Sequence, residues 1–330
     1  MNFMPIYQKY LAWRDRHFPM GNILRHTQYV LVFKTTNYCW YRCPHCCECS
    51  GPNNPRTFIP VRTICSYLDQ AHADPSFSNN VVFTGGEIMS AYRFGPADYV
   101  PTLLNHSLDL GIGTDIKTNA AWVRAGFGEG IFQDLHHVIS SHKPYSLQIS
   151  LSLDRYHKNA LENNAAVISR LAKMPNTNAI VHVSGFNNHV DMFPALLERI
   201  KANGLKIDEV LCGSAGKILP RVGGRILLQY SKGTLFDGGR ARDMEWAHHS
   251  EFPQFQFLTA DGMSLIAFDS AGRVTLGENS GRKISTSFLM RKNFNVYLKN
   301  LYHIRADLVK ATWREETRAR LLDGWRFNQR

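Results

Sequence analysis

Long hydrophobic runs are missing from this sequence. The longest uncharged apolar run near its start covers residues 29–33, far short of the roughly 18–20 residues that a membrane-spanning helix needs. The first 28 residues contain five charged side chains and no apolar segment, which argues against a signal peptide. We therefore expect a cytoplasmic protein with no membrane partner.

Cysteine is scarce and unevenly distributed. Seven cysteines in 330 residues are too few for a disulfide scaffold, and none follows Cys212. Five of the seven lie between Cys39 and Cys49, interleaved with polar residues such as Arg42 and Glu48. Five residues in such surroundings cannot all be small core hydrophobes. The cluster favours metal chemistry in a reducing compartment.

Strand-like and helix-like segments alternate along the chain without an internal repeat. The predicted strands cover residues 29–34, 80–84, 114–118, 147–153, 179–184 and 207–212. The predicted helices cover residues 61–72, 101–110, 159–174 and 192–203. Six strand–helix units predict an α/β fold, a partial (β/α)6 TIM-like barrel with a parallel sheet.

The pattern changes near Gly216. Beyond it, two short β runs at residues 263–268 and 272–276 flank a turn, and residues 289–322 read as basic helix. We expect an N-terminal helical segment (1–28), the barrel (29–215) and a small C-terminal α+β extension (216–330) on the substrate side.

Most of the net charge of +11 falls near the C-terminus. Residues 282–330 hold twelve Lys and Arg against four Asp and Glu, an excess of eight. Such a segment is either a solvated surface or a patch for an acidic peptide, a phosphorylated metabolite or RNA. No nucleic-acid-binding motif accompanies it, so nucleic acid is a possible but unspecified partner.

Three metal sites are compatible with the cysteine cluster, because thiolates are the soft ligands of zinc and of iron–sulfur clusters. Cys43, Cys46 and Cys49 begin a ferredoxin run, but its fourth cysteine is missing. Cys43 and Cys46 could form half of a zinc ribbon, but only single cysteines remain elsewhere. The third arrangement is Cys39-x3-Cys43-x2-Cys46, on the loop after the first predicted strand.

This third spacing, in this place, resembles the radical S-adenosylmethionine (SAM) enzymes. The resemblance implies that Cys39, Cys43 and Cys46 hold one [4Fe–4S] cluster, whose open iron binds the amino and carboxylate groups of SAM. His45 stands where relatives usually have an aromatic residue, and its planar ring is expected either near the adenine or as a cap of the loop. The remaining cysteines are unassigned: Cys47, Cys49, Cys65 and Cys212.

Motifs after the next two strands agree with that resemblance. Gly85-Gly86-Glu87 follows the second strand, where glycines permit a close backbone approach and a carboxylate suits an ammonium group. The resemblance implies that this motif binds the SAM amino group. Asn119 stands in a segment similar to the Thr-Asn-Gly of many relatives, with Ala120 in place of the glycine.

The fourth strand alternates apolar and polar residues. Because successive side chains point to opposite faces, the polar set is predicted to line the barrel interior, with an exposed antiparallel strand as the alternative that would alternate in the same way. By resemblance, this strand contacts the SAM ribose or carboxylate, and Gly185 on the fifth strand loosely matches an adenine-contacting position. His157 is expected at the surface, with a substrate contact or a proton donor as the alternative. The polar set comprises Gln148, Ser150, Ser152 and Asp154.

The β runs after residue 262 resemble the hairpin extension of SPASM and twitch-type relatives, whose cysteines bind auxiliary clusters. This chain has no cysteine there, so we expect a single cluster. Without a second cluster as an internal electron acceptor, a redox-neutral outcome is favoured over a net oxidation.

The resemblance implies reductive cleavage of SAM to a 5′-deoxyadenosyl radical that abstracts a substrate hydrogen, with an external one-electron donor of the flavodoxin or ferredoxin type. The expected substrate is a peptide in natural-product or cofactor maturation, or else a small metabolite (a sugar, nucleoside or amino acid). The opposing class is a non-catalytic iron–sulfur or zinc protein that binds nucleic acid.

Overall fold

The computed structural model describes residues 29–46, 49–73, 77–186, 190–212, 217–233, 264–268 and 274–275. The strands are β1 (Tyr29–Lys34), β2 (Phe77–Thr84), β3 (Gly113–Thr118), β4 (Leu147–Ser152), β5 (Ile180–Phe186), β6 (Ile207–Cys212), β7 (Lys217–Val222), β8 (Ile226–Gly233), β9 (Ser264–Phe268) and β10 (Val274–Thr275). The helices are α1 (Val61–His72), α2 (Ala91–Phe94), α3 (Tyr99–Asp109), α4 (Gly128–Ser141), α5 (Ala160–Lys173) and α6 (Phe193–Ala202). Two short 3-10 turns cover Ile88–Ser90 and Ala121–Arg124.

The strands form one ten-stranded sheet in the order β10-β9-β1-β2-β3-β4-β5-β8-β7-β6. Neighbours from β9 through β8 run parallel, whereas β10, β7 and β6 join by antiparallel pairing. Within the described residues, the edge strands β10 and β6 do not pair with each other. The α/β prediction is confirmed as a mostly parallel, open sheet, and a TIM-like barrel is not.

The predicted position of the sixth strand, as the next member of the parallel series, is wrong. Residues 207–212 form β6, but β6 pairs only with β7, antiparallel, at the edge of the sheet. The position beside β5 belongs to β8. Gly223 and Gly224 adopt φ values of 57° and 72°, which lets the chain turn tightly from β7 into β8. In the sequence, glycines and charged residues interrupt this region, so β7 and β8 were not predicted.

The helices form where apolar residues recur at helical spacing. On α1 the buried residues are Ile64, Tyr67, Leu68 and Ala71, three or four positions apart, so one face joins the core. All four predicted helices are confirmed to within two residues, whereas α2 and α4 were not predicted. Across the core, the rings of Phe33 on β1 and Phe83 on β2 lie 6.0 Å apart and stacked.

The C-terminal strands join the same sheet. As predicted, residues 264–268 and 274–275 pair antiparallel, and β9 also runs parallel beside β1. The sheet therefore crosses the boundary predicted near Gly216, and the division into domains stays a prediction. The predicted helical segments at residues 1–28 and 289–322 lie outside the described residues.

Parallel strands bring the predicted site residues together. The carboxyl ends of β1 to β5 meet at one edge of the sheet, and the loops after β1 to β4 each carry predicted site residues. Among the described helices, none is both long and apolar enough to cross a membrane.

Candidate functional site

The cysteine loop, the described residues 35–46 and 49–51, follows β1 directly. Cys39 and Cys43 are buried, and Cys46 is partly buried. The loop folds back on itself, since the Cys39 amide donates to the Gly51 carbonyl at 3.3 Å and the Cys46 amide to the Cys43 carbonyl at 3.2 Å. Cys49 is exposed. The structure thus holds the C-x3-C-x2-C residues on one short loop at the carboxyl end of β1.

Two hydrogen-bond donors point at the sulfur of Cys39. The Asn119 side-chain nitrogen and the Tyr41 backbone nitrogen each lie 3.4 Å from Cys39 Sγ. Burial raises the pKa of Cys39, and the nearby Glu87 carboxylate adds to the rise, whereas the Tyr41 amide lowers it. A metal would have to displace the thiol proton, and the two donors would then stabilise the thiolate. Soft donors with hydrogen bonds to sulfur fit an iron–sulfur cluster.

Gly85 and Gly86 bring the loop after β2 against the cysteine loop. The Gly86 amide donates to the Thr36 carbonyl at 2.6 Å, and the Glu87 amide donates to the Tyr38 carbonyl at 2.8 Å. A Cβ at Gly86 would overlap the Tyr38 carbonyl, and Gly85 also has a φ of 124°. The sequence predicted glycines for a close approach to a ligand. In the structure they allow a close approach of two backbones.

Glu87 is buried and binds the end of β3. Its carboxylate accepts hydrogen bonds from Thr118 Oγ1 and the Asn119 amide, both at 2.8 Å, and from the Met89 amide at 3.1 Å. Burial raises the pKa of Glu87 to about 7, although these hydrogen bonds lower it. Each carboxylate oxygen can accept more than one hydrogen bond, so a role toward an ammonium group is compatible with these contacts.

Asn119 spans two parts of the site. Its side-chain nitrogen donates to Cys39 Sγ, and its Oδ1 accepts from the Ala121 amide at 2.9 Å. Ala120 follows with a φ of 58°, a left-handed conformation that glycine adopts more readily than alanine does. Asn119 therefore contacts the predicted metal ligand Cys39, a contact that the sequence did not predict.

The polar set on β4 shares one face with polar residues of its neighbours. Ser150 donates to Asp115 Oδ1 on β3 at 2.6 Å and lies 3.5 Å from His182 Nδ1 on β5. His182 Nε2 lies 2.8 Å from Ser231 Oγ on β8. Gln148 donates to Ser150 at 3.2 Å. The predicted alternation is confirmed, because Leu147, Ile149 and Leu151 are buried in the core.

Asp154, which is buried, and His157, which is partly buried, form a pair in the loop after β4. The distance between His157 Nδ1 and Asp154 Oδ2 is 2.8 Å, and their side chains are 12% and 2% exposed. Burial lowers the pKa of His157, but its interactions with Asp154 and Cys43 outweigh burial and raise that pKa to about 10. Burial raises the pKa of Asp154, but the hydrogen bond from His157 outweighs burial, so the pKa of Asp154 is lowered. The expected surface position of His157 is wrong, because an acidic partner and the cysteine loop draw it inward.

His45 lies among aromatic rings. Its ring centroid is 4.6 Å from that of Tyr156 and 5.2 Å from those of His157 and Phe186. His45, Asp154 and His157 each offer a ligand atom within 4.8 Å of the others. This nitrogen and oxygen set beside Cys43 would also suit zinc.

Two predicted residues lie farther along the same edge. Ser152 ends β4 partly exposed, and its carbonyl accepts from the Asn164 side chain at 3.0 Å. Gly185 lies on β5, where an added Cβ would be 3.2 Å from the Tyr230 hydroxyl and 3.5 Å from the Leu153 carbonyl.

Sequence reasoning missed Thr118, Asp115 and His182 as members of this site. Thr118 directly precedes Asn119, in the segment that is similar to Thr-Asn-Gly. His182 alternates with the apolar Val181 and Val183, so the parity applied to β4 would have found it. Asp115 gave no such signal, because its role depends on the strand pairing that aligns β3 with β4.

No family model matches the chain, and no curated protein matches it. Solved structures with a similar fold include SuiB of Streptococcus suis bound to S-adenosylmethionine, at a TM-score of 0.48 and 16% identity over 84% of this chain and 68% of that chain. SuiB bound to the precursor peptide SuiA gives a TM-score of 0.46 at 15% identity over 81% and 62%. The protein anSMEcpe with bound AdoMet and the Cp18Cys peptide gives 0.40 at 10% identity over 81% of both chains. At these scores the similarity carries no argument about function.

Proposed function

We propose that this protein is a radical SAM enzyme in which Cys39, Cys43 and Cys46 hold one [4Fe–4S] cluster. The observation that carries the proposal is the cysteine loop at the carboxyl end of β1, with Asn119 and the Tyr41 amide directed at Cys39 Sγ. When bound, a reduced cluster supplies an electron for SAM cleavage to a 5′-deoxyadenosyl radical that removes a hydrogen atom from the substrate.

The residues around the loop have separate proposed roles toward SAM. Glu87, backed by Gly85 and Gly86, offers a buried carboxylate for the amino group. Asp154 and the polar face of β4, with Ser150 and Ser152, offer hydrogen bonds for the ribose or the carboxylate, and Asp154 can only accept them. The rings around His45, together with Gly185, offer apolar contact for the adenine. The electron donor is proposed to be an external flavodoxin or ferredoxin.

The substrate is proposed to be polar. Ser150, His182 and Ser231 share a face of the sheet with the Asp115–Lys117 ion pair, whose closest atoms are 3.0 Å apart. Such a row suits amide or hydroxyl groups better than acyl chains. This row supports both a peptide and a small polar metabolite, with the peptide retained as the leading prediction.

Metal and sulfide analysis of anaerobically purified protein tests the proposed cluster. We expect iron and acid-labile sulfide in equal amounts, about four of each per chain. Cys39→Ala should lose most of both. Cys49→Ala should keep them, because Cys49 is exposed and outside the proposed ligand set. The reverse pattern would indicate the ferredoxin-like set that begins at Cys43.

A zinc protein is the second candidate, and the nitrogen and oxygen atoms of His45, Asp154 and His157 beside Cys43 favour it. Zinc without sulfide in the same analysis would establish this candidate and end the proposed function.

A further inference from the structure

We propose that Arg42, Arg56 and Arg93 form a docking surface, the arginine patch, for a one-electron donor protein with an acidic surface. The inference rests on the proposed function, because such a donor has a role only if the cysteine loop holds a redox-active cluster. It adds to that function the place where the donor binds and the charge that the donor carries.

The arginine patch surrounds a point where two stretches of chain meet beside the first proposed cluster ligand. Tyr38 pairs with Gly51 in an isolated parallel bridge, and the Cys39 amide donates to the Gly51 carbonyl at 3.3 Å. Arg42 packs beside this bridge, since an added Cβ at Gly51 would be 3.8 Å from Arg42 Cγ. Arg56 covers the other residue of the bridge, with its Cζ atom 5.5 Å from the centre of the Tyr38 ring.

An aromatic ring positions two members of the arginine patch. Arg56 Cζ lies 4.2 Å from the centre of the Phe94 ring on α2, and Arg93 Cζ lies 5.2 Å from the same centre. The Phe94 ring in turn packs edge-on against the Tyr38 ring, with the two centres 5.0 Å apart. A guanidinium over an aromatic face is attracted by the ring electrons. Both groups are therefore held in place before a partner arrives, which lowers the entropy cost of binding.

Carboxylates do not neutralise the arginine patch. Its three side chains are exposed, and within the described part of the chain none of them forms an ion pair. Exposed arginines on the helices differ, since Arg170 on α5 pairs with Glu129. Arg199 on α6 likewise pairs with Glu162 at 2.9 Å. A group of ordered, unneutralised arginines is complementary to an anionic protein surface.

The position of the arginine patch favours an electron donor over the substrate as its partner. Arg42 stands between Cys39 and Cys43 in the sequence, so a protein bound at the patch lies against the segment that carries the proposed cluster ligands. The polar face proposed for the substrate lies instead on β3, β4, β5 and β8. Opposite charges on the two proteins would also speed their encounter and fix their orientation.

The test measures the binding of an oxidised, acidic flavodoxin to the reconstituted protein by isothermal titration calorimetry. The triple variant Arg42→Gln/Arg56→Gln/Arg93→Gln removes the three charges and keeps polar side chains. We expect its Kd to rise about tenfold at low salt, since three exposed charge pairs together contribute about that much. Added salt should weaken the binding of the wild type more than that of the variant. The variant Arg42→Lys/Arg56→Lys/Arg93→Lys keeps the charges and should recover most of the affinity.

The matched control is Arg170→Gln/Arg199→Gln/Lys201→Gln, which removes the same total charge from α5 and α6. Its Kd should stay within about twofold of the wild-type value, because salt screens distant charges. Equal weakening of the two glutamine variants, or no binding of flavodoxin to the wild type, would overturn the inference. Tighter binding of an RNA oligonucleotide or an acidic peptide than of flavodoxin would also overturn it.

Iron and sulfide analysis separates this inference from the proposed function. The arginines are not proposed ligands, so the triple variants should hold as much iron and sulfide as the wild type. With that content intact, any of the contrary binding results would remove the docking surface and leave the proposed function standing. A wild-type protein without iron and sulfide would instead end the proposed function.

Discussion

At the residue scale, the tightest packing in the site is between Gly86 and the backbone of the cysteine loop. Any Cβ at this position would overlap the Tyr38 carbonyl, which cannot move without shifting the neighbouring Cys39. The same carbonyl accepts the Glu87 amide, so the contact orders the loop that carries the thiols. A glycine here is a requirement of the protein's own packing, whatever ligand lies beyond it.

Gly86→Ala should therefore destabilise the protein by about 3 kcal/mol and lower its iron content, because backbone atoms must shift to admit the methyl group. Gly130→Ala is the matched control, since an added Cβ there meets nothing within 4 Å in helix α4. It should stabilise the protein by about 0.5–1 kcal/mol, because alanine favours a helix more than glycine does. Chemical denaturation measures both. Equal stability of the two variants would contradict this account of the glycines.

At the element scale, the end of β3 joins three parts of the site through one hydroxyl group. Thr118 Oγ1 donates to Glu87 Oε1 at 2.8 Å and accepts from the Ala120 amide at 3.1 Å and from Trp122 Nε1 at 3.0 Å. All of these groups are buried. The strand end thus fixes both the loop after β2 and the turn that presents Asn119 to Cys39.

Thr118→Val should lower the free energy of unfolding by about 2–3 kcal/mol, because it leaves two buried N–H donors without an acceptor and removes one of the hydrogen bonds to the Glu87 carboxylate. Thr118→Ser keeps the hydroxyl and should recover most of the loss. Denaturant titration of the two variants beside the wild type provides the measurement. A valine variant as stable as the serine variant would show that the hydroxyl does not organise the site.

The elements that the sequence predicted well are those whose pattern is local. The apolar spacing of α1 and the alternation on β4 depend only on neighbours in the chain, so both were found. The place of β6 depends on β7 and β8, which insert between it and β5 through the turn at Gly223 and Gly224. No local pattern specifies such a pairing.

The candidate site divides in the same way. The cysteine spacing and Gly85-Gly86-Glu87 are contiguous motifs that the sequence displays directly. The hydrogen bond from Asn119 to Cys39 Sγ joins residues 80 positions apart and depends on which loops meet at the edge of the sheet. That contact required the fold.

At the scale of the whole molecule, one sheet connects the predicted barrel with the predicted extension. β9 and β10 continue the sheet beyond β1, next to the strand that leads into the cysteine loop. The predicted SPASM-like or twitch-like character of this extension stays a prediction, as does the binding role of the basic segment at residues 282–330. Both concern the substrate side of the proposed enzyme.

The most direct test of the central claim is formation of 5′-deoxyadenosine from SAM under anaerobic, reducing conditions. Wild-type protein and Cys65→Ala should form it, because Cys65 lies on α1, outside the cysteine loop. Cys39→Ala should form none above background. Wild-type protein that contains iron and sulfide yet forms no 5′-deoxyadenosine, or a Cys39→Ala variant that forms as much as wild type, would contradict the account.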